Sequence, residues 1–139
     1  MIAQTQTTSF KLELYEGIHN LLTDNIYIAL YDANAVLDST TTVYTTTHEI
    51  VGLGYTAGGI LLTGVAISST DYTAYASWAN AVWAGARFTV RGALLYNASK
   101  ANRAIAVLDF GSDKTVSNST FTVTMPANTA TTALIRSSN

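Results

Sequence analysis

The two histidines are the first residues to consider, because imidazole is the commonest side-chain base and metal ligand near neutral pH. His19 lies in a predicted helix, and His48 is followed directly by Glu49. A His–Glu pair can ligate a metal, but adjacent residues of a strand point to opposite faces. Solvated loop positions therefore account for this pair better than a metal site does, and we predict neither a metal nor a cofactor.

The sequence gives little support for nucleophilic or phosphate chemistry. It has no cysteine and no Gly-x-Ser-x-Gly motif, so thiol nucleophiles are excluded and no nucleophile elbow is indicated. The glycine-rich segment 52–59 lacks the Lys-Ser/Thr pair of a phosphate loop, and no helix is predicted after it. Asp109 and Asp113 bracket a predicted turn, where weak calcium binding and a salt bridge with Lys114 are both compatible with the pattern. We predict no catalytic residues and no enzymatic activity.

Aromatic residues offer a third kind of site, a platform on which sugar rings stack. The candidates are Tyr72, Tyr75, Trp78, Trp83 and Tyr96. Packing in the core or between subunits is the commoner role of such residues, so it is the preferred interpretation here.

Composition limits the class of protein. The 139 residues carry a net charge of −2, with 48% hydrophobic and 12% charged residues. Such a chain is too apolar to be disordered, and it lacks the basic balance of a nucleic-acid-binding domain. Its 22 threonines, eight tyrosines and single proline favour pleated, half-buried surfaces. We therefore predict one all-β domain over residues 1–139.

The first residues and the segment after them have different patterns. Residues 1–7 are polar and without a period, which predicts a flexible arm. An apolar stripe then predicts a helix over residues 9–22, with Thr8 or Ser9 as its N-cap and Gly17 as a weak point inside it. The stripe consists of Leu14, Ile18, Leu21 and Leu22.

Residues 26–136 read as an antiparallel β-sandwich or barrel of about seven to nine short strands. Clear strands are predicted at residues 26–31, 60–67 and 88–96, with turns at 97–103 and 111–114. Strict alternation over 88–96 places one set of residues on a single face: Phe88, Val90, Gly92, Leu94 and Tyr96.

No membrane association is predicted. Residues 50–70 carry no charge and match a bilayer in length. Because the segment is interrupted by glycine, threonine and serine, strands separated by turns explain it better than a membrane-spanning helix. The first residues lack the basic and apolar regions of a secretory signal, so we expect synthesis in the cytoplasm.

Six segments resemble small virion structural proteins of tailed bacteriophages, and together they span most of the chain. The most specific is YTTTHEIVGLGYTAGG at residues 44–59. The others are residues 10–19, 24–31, 88–96, 104–111 and 120–127.

The resemblance implies a non-enzymatic virion protein, either a head decoration (cement) protein or a tail-associated one. Our first expectation is a capsid decoration protein on the virion surface that binds the major capsid protein and itself, as a homotrimer. The alternative is a tail, baseplate or fibre-adaptor protein with loops that bind the host surface or glycans. A small carbohydrate-active enzyme is a third hypothesis, in which Asp109 and Asp113 would be the carboxylates to test.

Contact residues are expected in two places. A polar arm that becomes ordered on a neighbour is a suitable anchor, which selects Ile2, Gln4 and Gln6. The glycine-rich loop selects Tyr55.

Overall fold

The computed structural model describes residues 1–138 and contains one helix and two antiparallel sheets. The helix is α1 (Thr8–Tyr15). The strands are β1 (Thr5–Gln6), β2 (Ile26–Tyr31), β3 (Ile60–Leu61), β4 (Ala66–Thr70), β5 (Thr73–Ser77), β6 (Ala81–Asn97), β7 (Arg103–Val123) and β8 (Ile135–Ser137). The five-stranded sheet has the order β1-β7-β6-β2-β3 and the three-stranded sheet the order β4-β5-β8. The predicted all-β fold with an N-terminal helix is confirmed.

The β6–β7 hairpin forms the centre of the larger sheet. Its strands pair from Ala81↔Val123 to Asn97↔Arg103, so the predicted turn at 97–103 is confirmed. The predicted turn at 111–114 is wrong, because β7 runs through it. Between the pairs Val90↔Lys114 and Gly92↔Asp109, the four residues 110–113 lie opposite Arg91 alone, which is a bulge larger than the usual two residues against one.

The side chains of β6 change faces at this irregularity. Phe88 and Val90 pack in the main core, and so do Ala93 and Leu95 further along the strand. Leu94 and Tyr96 belong instead to a second core on the opposite face. The prediction of one continuous face from residue 88 to residue 96 is therefore wrong, because a slip of one residue exchanges the two faces of a strand.

The two cores cover both faces of the larger sheet. The main core lies between the sheets and includes Trp78, Trp83 and Ile135. The second core joins Ile2 and Leu37 to the outer face of β2 and β6. Burial on both faces explains why β2 carries the continuous apolar sequence IYIALY.

Helix α1 is shorter than predicted. Thr7 caps it, with Oγ1 accepting a hydrogen bond from the Phe10 amide at 3.2 Å. Gly17 ends it at φ +72°, and the Ile18 amide donates to the Glu13 carbonyl at 3.0 Å. This is a Schellman motif, so Gly17 is a termination signal and not an interior residue. The predicted stripe is not a buried face, since Leu14 and Leu22 are exposed and the helix buries Phe10 and Glu13.

Residues 1–7, predicted as a flexible arm, lie against the sheet. Ile2 is buried, and the Ala3 amide donates to the Leu37 carbonyl at 2.9 Å. Thr5 and Gln6 form β1 by pairing with β7. The arm is held because Ile2 fills the space over Gly92, where a Cβ atom would lie 2.9 Å from the Ile2 side chain.

The predicted strand 60–67 is divided into β3 and β4 by a turn at Gly64, which adopts φ +66°. β3 adds to the larger sheet and β4 to the smaller one. The chain therefore crosses from one sheet to the other within this segment.

Among the glycines, Gly59 is the one at which an added side chain would meet the closest backbone atoms. It adopts φ +80°, and a Cβ atom would overlap the carbonyl oxygen of Ile28 in β2. We expect Gly59→Ala to lower the free energy of unfolding by about 2–5 kcal/mol, from left-handed strain plus the clash. Gly111→Ala is the matched control, because Gly111 has φ +82° with no atom within 4 Å of the added Cβ. Urea denaturation of both variants measures the difference, and equal losses would contradict the steric argument.

Candidate functional site

The predicted contact residues lie in three different places. Ile2 is buried in the second core. Gln4 and Gln6 lie at the surface along the edge of the larger sheet. Tyr55 packs against the main core, with its hydroxyl bonded to Glu49. The structure thus keeps only the two glutamines as neighbours on one accessible surface.

Three adjoining cavities lie where an edge of one sheet faces an edge of the other, between β1 and β8. Their volumes are about 470, 250 and 410 Å³. Gln6 lines all three, and its Nε2 donates to the Arg136 carbonyl at 2.7 Å, which joins the two edges. We call the three cavities together the Gln6 groove.

The third cavity of the Gln6 groove has a largely apolar wall. It is bounded by α1 on one side and by the smaller sheet on the other, with Phe10, Leu21, Ile67 and Ile135 among its lining residues. Leu14 lines both this cavity and the first, and it is 37% exposed. An apolar surface left open beside a helix is typical of a place where another chain binds.

The first cavity adds positive charge. Lys11 and Arg136 both line it, beside Tyr15, whose side chain is 92% exposed. Arg136 Nη1 donates to the Thr131 carbonyl at 2.7 Å. None of the described residues that line the three cavities is an aspartate or a glutamate. Two strand edges, a largely apolar third cavity and two cations are features that bind a segment of another chain that carries a carboxylate.

Sequence reasoning selected Gln4 and Gln6 but missed Lys11, Tyr15 and Arg136. The cations lie near opposite ends of the chain, and only the packing of β8 beside α1 brings them together.

Glu49 organises the glycine-rich segment. Its carboxylate is buried and accepts hydrogen bonds from the Tyr44 hydroxyl at 2.6 Å, the Gly58 amide at 2.7 Å and the Tyr55 hydroxyl. Tyr55 in turn accepts from the Leu30 amide at 3.0 Å, so the carboxylate ties this segment to β2. Residues 44–59 are therefore held in place by an internal anchor, and Tyr55 is part of it.

The tyrosines around Glu49 are held in their neutral form. Burial, followed by the hydrogen bond to Glu49, raises the pKa of the Tyr44 and Tyr55 phenols well above the usual value. Burial and then the charge of Glu49 raise the pKa of Tyr96 to about 12. Each phenol thus keeps the proton with which it donates a hydrogen bond.

His19 belongs to a second buried network. Its Nε2 lies 2.9 Å from a Glu13 carboxylate oxygen and its Nδ1 lies 3.0 Å from Asn97 Nδ2. Asn97 also donates to Asp24 at 2.9 Å, and Arg103 donates to the other Glu13 oxygen at 2.9 Å. Both ring nitrogens are engaged, so the network fastens the end of α1 to the β6–β7 turn.

The other candidates are dispersed. His48 is 46% exposed and lies 3.7 Å from Asp32. Arg91 lies within 3.5 Å of Asp109 and 3.7 Å of Asp113, so Arg91 takes the place expected for Lys114. Across residues 1–138, no group of three His, Cys, Asp or Glu side chains is arranged to hold a metal ion.

The candidate aromatic platform does not form. Trp78 and Trp83 are buried in the main core, Tyr96 is buried in the second core and Tyr72 stands exposed on the β4–β5 turn. Tyr96 instead stacks between Tyr27 and Tyr44, with ring centres 5.9 and 4.6 Å apart.

The chain matches no family model, no curated protein and no solved structure. Within the described residues, no helix has both the length and the apolar character needed to cross a membrane.

Replacing Glu49 tests its anchoring role. We expect Glu49→Leu to lower the free energy of unfolding by at least about 2–3 kcal/mol, because the Gly58 amide and two phenols lose their acceptor. Glu16→Leu is the control at an exposed glutamate and should change stability by no more than about 0.5 kcal/mol. Urea denaturation measures both, and a Glu49→Leu protein as stable as the wild type would contradict the prediction.

Asp24 makes the stability of the folded state depend on pH in the acid range. Burial alone raises the pKa of Asp24, but hydrogen bonds from Asn20, Asn97 and Lys100 outweigh it and hold the pKa below the usual 3.8. Its contribution to stability is therefore present above that value and is lost as the pH falls through the lower, folded-state pKa.

As the pH is lowered from neutral to below 3.8, we expect the stability of Asp24→Asn to fall less steeply than that of the wild type. Thermal unfolding at a series of pH values measures the slope. Glu16→Gln controls for the loss of one negative charge at an exposed position. A steeper or unchanged profile in Asp24→Asn would show that the network does not stabilise this carboxylate.

Proposed function

We propose that this chain is a non-enzymatic structural protein of a tailed-bacteriophage virion, and specifically a capsid decoration protein. It binds the major capsid protein and further copies of itself on the outer surface of the head. The observation that carries the proposal is the Gln6 groove, which combines two cations with a largely apolar third cavity beside the edge strands of both sheets. Strand edges of this kind accept backbone hydrogen bonds from a neighbouring chain.

The internal networks support a scaffold role. Glu13, His19, Asp24 and Glu49 are the buried or largely buried titratable groups that sequence reasoning would examine for chemistry. Each makes two or more hydrogen bonds within the chain. Groups used in this way fix loops in place, as a protein that packs densely beside its copies requires.

The resemblance of residues 44–59 to phage virion proteins supports the biological setting. So does the surface, which combines few charges with exposed aromatic side chains such as Tyr15 and Tyr72. Aromatic residues are enriched and charges are depleted at the centres of protein interfaces.

Quantitative mass spectrometry of purified virions, separated into heads and tails, tests the proposal. We expect the protein in the head fraction at a copy number comparable to that of the major capsid protein. Confinement to tails at low copy number would overturn the decoration role and favour the tail, baseplate or fibre-adaptor role. Absence from both fractions would overturn the structural role altogether.

A further inference from the structure

We propose that the Gln6 groove binds the β4–β5 turn of a second copy of this chain, with Asp71 and Tyr72 as the inserted residues. The inference names the surfaces through which copies associate, and it rests on the self-association in the proposed function. The partner contributes a carboxylate and an aromatic ring, and the groove contributes Lys11, Arg136 and its apolar wall.

The positive charge of the first cavity favours an acidic partner. Lys11 and Arg136 are exposed, line one cavity and form no ion pair within residues 1–138. Two cations in one cavity repel each other, and a carboxylate placed between them removes that repulsion. Since the cavity also has Leu14 and Tyr15 in its wall, the carboxylate is best accompanied by an apolar or aromatic group.

Asp71 is the carboxylate of this chain that meets both conditions. The described acids outside ion pairs are Glu16, Asp38, Glu49 and Asp71. Glu49 is buried, and Asp38 accepts from the Thr40 amide at 2.8 Å and from the Thr40 hydroxyl at 2.6 Å. Glu16 ends α1, the helix that itself borders the groove. Asp71 is exposed on a projecting turn beside Tyr72.

Tyr72 supplies the apolar part of the contact. Its side chain is 81% exposed at the tip of the β4–β5 hairpin. An aromatic ring so placed gains much of its binding energy by entering a pocket on another chain. The third cavity, of about 410 Å³, opens between α1 and the smaller sheet and is lined by Ile67 and Ile135.

Every copy carries both a β4–β5 turn and a Gln6 groove, so it can insert its turn into one copy and accept the turn of another. β5 follows the turn directly and pairs with β8 through Ala74↔Ser137, so the turn and the groove share one sheet. If each copy inserts its turn into one neighbour and accepts the turn of another, the contact is heterologous, and it closes into a ring when the rotation between copies allows. A trimer is one such ring.

Charge reversal and its compensation test the contact by sedimentation velocity over a wide range of protein concentration. We expect the wild type to self-associate, and Asp71→Lys to weaken association by more than roughly tenfold, since a third cation then faces two others. Lys11→Glu combined with Arg136→Glu should weaken it to a similar extent. The triple variant, which exchanges the signs on both sides, should recover most of the association.

Asp113→Lys is the matched control, because it makes the same change of charge at an exposed residue that does not line the groove. Tyr72→Ala tests the apolar part and should weaken association without changing net charge. Circular dichroism spectra and thermal midpoints show that each variant keeps the fold.

A wild-type protein that stays monomeric, an Asp71→Lys variant that associates like the wild type, or a triple variant without recovery would each overturn the inference. These outcomes are separable from failure of the proposed function. A monomeric protein still abundant in virion heads would keep the decoration role and remove only the self-contact. A self-associating protein absent from virions would keep the contact and remove the decoration role.

Discussion

The irregular pairing of β6 with β7 near Arg91 determines how both cores are built. Val90 faces the main core and Leu94 faces the second core, because the alternation slips between them. Without this slip, Ala93 and Leu95 would turn away from the main core, and Leu94 and Tyr96 would turn towards it. The slip therefore decides which residues of β6 serve each core, and the second core is what holds Ile2 and the N-terminal residues.

Buried polar networks hold the loops that the apolar cores do not fix. Glu49 fastens the glycine-rich segment to β2, and the Glu13–His19–Asn97 network fastens the end of α1 to the β6–β7 turn. Unpaired buried charges are costly, so such groups are tolerated only when each has well-placed partners. Here they fix long connections that have few apolar side chains of their own.

The Gln6 groove follows from these two features. Because the Ile2 side chain is anchored over Gly92, the residues that follow it lie along β7, where Thr5 and Gln6 form β1. Because the Schellman motif ends α1 at Gly17 and His19 fastens the following turn, the helix keeps Leu14 and Tyr15 at the surface. β8 then pairs with β5 and leaves its other edge facing β1, with Lys11 and Arg136 at one end of the gap. The groove is the place where the two sheets approach without pairing.

Elements whose patterns are local could be predicted from the amino-acid sequence. Alternation and threonine content predicted an antiparallel β-protein, the IYIALY strand and the turn after Asn97, because pleating and turn chemistry depend on neighbouring residues. The helix length was misjudged although its signal, Gly17, was present, since glycine was weighed for its helix propensity and not as a cap. Gln4 and Gln6 were predicted as contact residues of a flexible arm, whereas the structure places them along the edge strand of the larger sheet. Three features could not be predicted in this way: the exchange of faces at Arg91, the burial of Ile2, and the position of Lys11 and Arg136 in one cavity. These depend on contacts between residues far apart in the chain, and such contacts are fixed by packing and not by any local preference.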